Sequence, residues 1–261
     1  MSPPAYAPAA FSWQLISLRP RGQHAPLRRA AARHGGRLLA VSPWALHPCD
    51  DAASRDQLAA ALGAEMAIFT SPAAVAAAAA LVELGRPWPA RMMAVGQGSA
   101  RALQRAGVAQ VVAPARMDSE GLLGLPALQQ LSGRRVGLVT APGGRGLIPR
   151  TLQERGATVL RADVYQRLPC TLAPARLARL RSALPELPTA IALSSGEALE
   201  RLWPQLPADL RRYWQQLPVA CASQRLAETA RAHGFADVHV ATGPLPAQLV
   251  ATAAQAVSSA A

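Results

Sequence analysis

The sequence predicts an α/β protein of two similar domains, each a parallel sheet with helices on both faces. Two observations lead to this prediction. Apolar strand-like segments alternate with helical segments, and the whole series occurs twice along the chain. The 261 residues suffice for two ordinary domains, and a hydrophobic content of 51% is typical of globular proteins.

The clearest match between the two copies is that of residues 15–39 with residues 136–160, at an offset of 121 positions. Each copy predicts a short strand, a Pro/Gly turn, an amphipathic helix, a Gly stop and a second strand. A phrase of an aromatic residue, three residues and Pro-Cys follows each copy. Its aromatic residue is Trp44 in the first copy and Tyr165 in the second, again at an offset of 121.

Two further pairs extend the repeat at offsets of 123 and 127 positions. They are residues 67–81 with 190–204, and residues 94–107 with 221–234. The second pair is followed in each copy by a further strand, at residues 109–114 and 236–241, and by a last helix, near residues 119–130 and 245–256. The growing offsets indicate small insertions after a duplication. Sequential halves, roughly 13–133 and 134–257, and an inserted domain fit this alignment equally well.

The charge pattern favours an anionic small molecule as ligand. The formal net charge is +12, and all 27 basic residues are Arg. Nucleic acid, a membrane surface and a polyanionic small molecule are the candidate partners for such a charge. The Arg residues are scattered without a basic run, and three Phe and three Tyr leave few side chains for base stacking.

Several classes of site are not indicated by the sequence. Three Cys without a CxxC motif predict neither a disulfide framework nor a zinc site, and the five His lack metal spacing. Neither "TAPGGRG" nor "GQGSAR" completes a nucleotide-binding motif, and GxSxG is absent. The Ala-rich run near residues 73–84 is too short to cross a membrane. We expect a soluble cytoplasmic protein with a disordered tail at residues 1–12.

Four strand-to-helix turns carry Ser, Thr or Gly at the predicted helix starts. Such residues cap helices, but these turns also lie at the carboxyl ends of parallel strands, where free N–H groups bind anions. Rims of this kind on two facing domains would line a cleft for an anionic ligand. The residues of these turns are Thr70, Ser71, Gly96, Gln97, Gly98, Ser99, Ser194, Ser195, Gly196, Ser223 and Gln224.

The ordered set of motifs resembles the uroporphyrinogen-III synthase family, from about Leu15 to Ala254. The motifs are "LRPRGQ", "IFTSPAAV", "AVGQGSARAL", "PGGRGLIPRTLQERGATV", "VYQR", "LSSGEALERLW" and "ASQRLAETARAHGF". The resemblance implies two flavodoxin-like parallel-sheet domains joined by a two-stranded β-ladder, with the second domain inserted in the first. The expected domains are 13–40 plus 170–257, and 49–162, with connectors 39–48 and 163–169.

The resemblance implies a cyclising lyase that needs no cofactor or metal. Its substrate would be hydroxymethylbilane, a linear tetrapyrrole with eight carboxylates, and its product uroporphyrinogen III, with ring D inverted and water lost. We expect a cytoplasmic monomer of haem biosynthesis without nucleic-acid or membrane partners. Its substrate could be handed over by hydroxymethylbilane synthase. The alternative is a non-catalytic two-lobed binder of an anionic small molecule.

The resemblance also implies site residues. Tyr165 takes the position of the family's Tyr, whose phenol keeps its proton at neutral pH and can assist departure of the hydroxyl. The residues at the family's substrate-binding positions are Arg19, Ser71, Gly96, Ser99, Gly143, Gly144, Arg145, Ser194, Ser195 and Ser223. Two stretches depart from the family pattern: Thr140-Ala141-Pro142 replaces an Arg-Gly pair, and Gln97-Gly98-Ser99 replaces a Pro or Arg with Thr-Thr.

Overall fold

The computed structural model describes residues 11–143 and 146–260 of the chain. Its internal contacts divide it into two compact units. The first unit takes the chain up to Ala45 and again from Pro169, and the second unit is Leu46–Leu168. The second unit is therefore inserted in the first. Most of the tail predicted at residues 1–12 lies outside the described residues.

The described residues form strands and helices that largely alternate along the chain. The strands are β1 (Trp13–Ser17), β2 (Gly36–Ala40), β3 (Trp44–Pro48), β4 (Met66–Phe69), β5 (Arg91–Ala94), β6 (Arg135–Thr140), β7 (Thr158–Asp163), β8 (Tyr165–Pro169), β9 (Thr189–Leu193), β10 (Val219–Cys221) and β11 (Val238–Val240). The helices are α1 (Ala25–Arg33), α2 (Ala52–Leu62), α3 (Pro72–Leu81), α4 (Gln97–Arg105), α5 (Ser119–Leu123), α6 (Leu147–Glu154), α7 (Pro174–Ala183), α8 (Gly196–Leu202), α9 (Ala208–Gln215), α10 (Gln224–Ala232) and α11 (Pro246–Ala260).

The first unit contains a five-stranded sheet in the order β2-β1-β9-β10-β11. All neighbouring strands in it are parallel. Counted within the unit, this is the flavodoxin-like order 2-1-3-4-5. The interior strands β1 and β9 are buried along their whole length, as expected for a parallel sheet between two layers of helices. The predicted α/β class is confirmed.

The second unit contains a four-stranded parallel sheet in the order β7-β6-β4-β5. Val112 adds a single parallel bridge to Met93 beyond its β5 edge. Because β6 and β7 are the repeat copies of β1 and β2, the second unit follows the same strand order as the first. The repeat is therefore a repeat of topology.

Two elements of the second unit are shorter than the repeat predicts. The strand predicted over residues 109–114 is only the bridge at Val112. The helix predicted near residues 119–130 is divided into α5 and a 3-10 turn at Pro126–Leu128. Gly124 ends α5, and Pro126 has no N–H with which to continue the helical ladder.

The phrase that ends in Pro-Cys forms the connection between the units. β3 and β8 pair as a two-stranded sheet, and Trp44 and Tyr165 are the first residues of these strands. The N–H of Cys49 donates to the Val164 carbonyl, and the N–H of Cys170 donates to the Pro43 carbonyl. Since each bond joins the end of one strand to the start of the other, the two strands run antiparallel.

A buried glycine sets the distance between α2 and the sheet of the second unit. Gly137 lies in β6, and a Cβ atom placed there would be 2.1 Å from the carbonyl oxygen of Ala61. That separation is far below van der Waals contact. The close packing of α2 against β6 therefore requires a residue without a side chain at position 137. The same helix buries Leu58 and Leu62 completely in this interface.

Candidate functional site

The sheet of the second unit has a pocket at the point where its strand order reverses. In the order β7-β6-β4-β5, that point lies between β6 and β4, and open α/β sheets bind ligands at the carboxyl ends of such strands. Thr140 ends β6 and Thr70 follows β4, and the Thr70 hydroxyl donates to Oγ1 of Thr140 at 2.9 Å. The pocket at this edge has a volume of about 220 Å³.

The lining of this pocket is rich in hydrogen-bond donors. Two guanidinium groups contribute to it, and no carboxylate does so among the residues that the structure describes. The polar side chains are Thr70, Ser71, Ser119, Thr140, Tyr165, Arg161 and Arg167. Because positive groups and hydroxyls stabilise negative charge, the pocket suits an anionic group.

Tyr165 brings a phenol to the pocket wall. Its side chain is buried, and its hydroxyl oxygen lies 3.4 Å from Oγ of Ser71. The Oγ atom of Ser71 also accepts a hydrogen bond from the N–H of Ala74 at 3.1 Å, which caps α3. Ser71 can therefore donate its own proton to the phenol oxygen, which leaves the phenol proton for a ligand in the pocket.

Arg161 is held in one orientation at the pocket. Its Nε and Nη2 atoms donate to both oxygens of Asp163, at 2.9 to 3.1 Å. Nη2 also donates to the carbonyl of Ala141 at 3.0 Å. A forked pair of this kind fixes a guanidinium better than a single contact does.

Comparison with known proteins assigns the family. The family model for "Uroporphyrinogen-III synthase HemD" matches residues 25–251. This chain belongs to the uroporphyrinogen-III synthase family. Two relatives named uroporphyrinogen-III synthase, from Escherichia coli K12 and Salmonella typhimurium LT2, are each 36% identical to it. The alignments extend over 191 and 194 residues, and each covers 71% of this chain and 77% of the relative.

Solved uroporphyrinogen-III synthase structures share the fold. A mutant enzyme from the extremely thermophilic bacterium Thermus thermophilus matches with a TM-score of 0.58 and 22% identity, over 95% of this chain and 100% of that chain. The enzyme from Helicobacter pylori 26695 matches with a TM-score of 0.55 and 14% identity, over 89% of this chain and 93% of that chain. At these identities the likeness shows the fold alone.

Only some of the site residues that the family resemblance implies in the second unit lie together at the pocket. Ser71, Gly143 and Tyr165 line the pocket. Gly96 and Ser99 do not line it: Gly96 is the N-cap of α4, and the side chain of Ser99 is buried in the first turn of that helix. Gly144 and Arg145 lie outside the described residues.

Of the site residues that the resemblance implies in the first unit, the three Ser residues lie at helix starts and Arg19 lies in the turn after β1. Ser195 caps α8 by accepting from the N–H of Ala198, and Ser223 caps α10 by accepting from the N–H of Leu226. Ser194 is exposed just before the first of these caps. The Nε atom of Arg19 is buried without a partner among the described residues, and burial lowers the pKa of this guanidinium.

The two Ser caps show where the repeat is shifted. Ser71 and Ser195 each cap the helix that follows an equivalent strand, and they are 124 positions apart. The offset between these segments in the sequence repeat is 123 positions. Ser195 is therefore the structural counterpart of Ser71, and Ser194 is the counterpart of Thr70. An alignment of Ala-rich segments cannot detect a difference of one residue in the offset.

His24 is a buried polar residue that the sequence analysis did not single out. Its Nδ1 lies 2.9 Å from Oγ of Ser17, and its Nε2 lies 2.8 Å from Oγ of Ser42. Burial, followed by the nearby charges of Arg28, Arg19 and Arg176, lowers its pKa from 6.5 to about 4. The imidazole is thus neutral at pH 7 and links the end of β1 to the segment before β3.

Metal clusters and membrane spans are absent from the described part of the chain. Residues 11–143 and 146–260 contain no group of three or more His, Cys, Asp or Glu side chains that could hold a metal ion. Within the same ranges, no helix is long and apolar enough to cross a membrane.

Proposed function

We propose that this protein converts hydroxymethylbilane to uroporphyrinogen III with loss of water. Membership of the uroporphyrinogen-III synthase family, across residues 25–251, is the observation that carries the proposal. The pocket of the second unit supports it, because a phenol and a described lining without carboxylates suit a polycarboxylate substrate that must lose a hydroxyl. The reaction exchanges no electrons with an external acceptor.

Tyr165 is the proposed acid for the first step. The pyrrole nitrogen of the terminal ring expels the hydroxyl of its hydroxymethyl group, the C–O bond breaks, and the phenol supplies the proton that turns the departing hydroxyl into water. Ser71, which can donate to the phenol oxygen, stabilises the negative charge that develops there. The azafulvene that remains on the terminal ring is the electrophile for ring closure.

Orientation decides which isomer forms. Unassisted closure joins the two nearest ends of the chain and gives the type I isomer. The type III isomer requires attack by the substituted carbon of ring D, which gives a spiro intermediate that reopens with ring D inverted. The proton lost when the last pyrrole regains its aromaticity balances the one that Tyr165 supplied. Holding the reacting carbons together is worth several kcal/mol.

The substrate-binding assignments are part of this proposal. They comprise Arg19, Ser71, Gly96, Ser99, Gly143, Gly144, Arg145, Ser194, Ser195 and Ser223. Many of these residues precede or begin helices, so their backbone N–H groups and the helix dipoles can hold carboxylates. We further propose a cytoplasmic monomer without a cofactor, supplied by hydroxymethylbilane synthase.

The test is to mix the purified protein with freshly made hydroxymethylbilane, oxidise the products and separate the isomers. Type III product above the level of the protein-free reaction supports the proposal. Type I product alone contradicts it. If the protein instead retains a linear tetrapyrrole while only type I forms, it is a binder without the cyclising activity.

A further inference from the structure

We propose that the pocket of the second unit binds one carboxylate side arm of the substrate, with Arg161 as its cationic contact and Thr140 as a hydroxyl donor. The assignment rests on the proposed function, since it takes the substrate to be a polycarboxylate tetrapyrrole. Neither residue belongs to the positions at which the family resemblance predicts substrate binding, and Thr140 lies in a stretch that departs from the family pattern.

The size of the pocket favours a side arm over a whole ligand. Its volume is about 220 Å³, whereas pockets that enclose a complete small molecule measure roughly 300–1,000 Å³. A linear tetrapyrrole has four rings and eight carboxylates, so it must extend beyond the pocket. One arm inserted here would leave the ring that carries it close to Tyr165, which lines the same pocket.

Arg161 has a guanidinium edge available for this arm. Its Nε and Nη2 atoms are engaged by Asp163 and by the carbonyl of Ala141. Nη1 has no partner in the described ranges, so it can donate to a ligand. Because the other nitrogens are fixed, little side-chain freedom is lost when the ligand binds. Asp163 itself does not line the pocket.

Thr140 offers a proton because of the direction of its bond with Thr70. The Thr70 hydroxyl has two acceptors in reach, Oγ1 of Thr140 at 2.9 Å and the Val139 carbonyl at 3.4 Å, and the shorter contact makes the Thr140 oxygen its acceptor. The N–H of Thr70 donates to the Val139 carbonyl, which fixes Thr70 beside β6. The Thr140 proton then has no acceptor among the described residues, and a carboxylate oxygen supplies one.

The experiment measures binding of uroporphyrin III, the stable oxidised form of the proposed product, by titration of porphyrin fluorescence. Arg161→Gln removes the charge, and Thr140→Val removes the hydroxyl while keeping the shape of the side chain. We expect Arg161→Gln to raise Kd about tenfold and Thr140→Val to raise it about threefold. In turnover, Arg161→Gln should raise KM with little change in kcat, because the carboxylate of the arm takes no part in the bond changes and is held equally in the ground and transition states.

Arg134→Gln is the matched control. Arg134 pairs with Glu65 in the same unit, and it does not line the pocket. Its Kd should remain within about twofold of wild type, since one exposed charge contributes little. The proposal is overturned if Arg161→Gln binds the porphyrin like wild type, or if Arg134→Gln weakens binding equally. The binding measurement does not depend on turnover. A wild-type protein that makes only the type I product would therefore contradict the proposed activity, while the binding of uroporphyrin III by the variants would still test the pocket.

Discussion

The hydroxyl of Tyr165 lies 3.4 Å from Oγ of Ser71, the residue that caps α3. One side chain thus begins a helix and contacts the proposed acid. The first unit contains the same cap without the acid, because Ser195 caps α8 and the aromatic residue that corresponds to Tyr165 is Trp44. The repeat therefore supplies an internal control for the role of Ser71.

Replacement of each capping Ser by Ala separates stability from chemistry. Loss of a Ser cap costs about 1 kcal/mol of unfolding free energy, and we expect this for both Ser71→Ala and Ser195→Ala in urea unfolding. The comparison is made in kcat, since Ser195 is itself a proposed substrate-binding residue whose loss would raise KM, and kcat should fall about tenfold further in Ser71→Ala. Ser71→Thr keeps the hydroxyl and should restore turnover. Equal kcat in the two Ala variants would show that Ser71 acts only as a cap.

Tyr165→Phe removes the phenol hydroxyl and keeps the ring. We expect kcat to fall about a hundredfold, the usual contribution of one general acid, while circular dichroism shows an unchanged fold. The product that still forms on the protein should remain type III, because ring orientation does not depend on the hydroxyl. Tyr213→Phe in the first unit is the control and should keep wild-type kcat. Unchanged kcat in Tyr165→Phe would make this residue a packing aromatic.

His24 should make stability depend on pH in a defined window. Its pKa is about 4 in the folded protein against an ordinary 6.5, so the unfolded chain takes up the proton first as the pH falls. The contribution of the neutral His24 to the free energy of unfolding is complete above pH 6.5. It is lost as the pH falls to about 4, and the loss is at most about 3 kcal/mol. Urea unfolding at a series of pH values measures this loss.

His24→Gln should flatten that dependence, since an amide can bond Ser17 or Ser42 but cannot titrate. His34→Gln, at the exposed end of α1, should keep the wild-type slope. A slope in His24→Gln as steep as that of wild type would mean that other groups cause the loss.

Gly137→Ala tests the contact between α2 and β6. A Cβ atom there would meet the Ala61 carbonyl at 2.1 Å, so the helix must move from the sheet. We expect a loss of about 2 kcal/mol or more in unfolding free energy, in the range of overpacked cores. Gly98→Ala, where the added Cβ meets only Pro72 Cγ at 3.3 Å, should be close to neutral. Comparable stability of Gly137→Ala and wild type would contradict this packing.

The sequence predicted the strands and helices better than it predicted the pocket. Strand period, turns and capping residues are local signals, and both copies of the repeat carry them. Thr70 and Thr140 are far apart in the chain, and nothing in either segment shows that β4 and β6 are neighbours. The proposed role of Arg161 depends on Asp163 and on the Ala141 carbonyl, which the fold brings together.

The product of repeated turnover tests the central claim most directly. One part of protein is mixed with about a hundred parts of freshly made hydroxymethylbilane, and the oxidised isomers are separated before spontaneous closure is complete. We predict that type III predominates, which requires each protein molecule to act many times. An isomer ratio equal to that of the protein-free reaction, with type I as the product, would contradict the account.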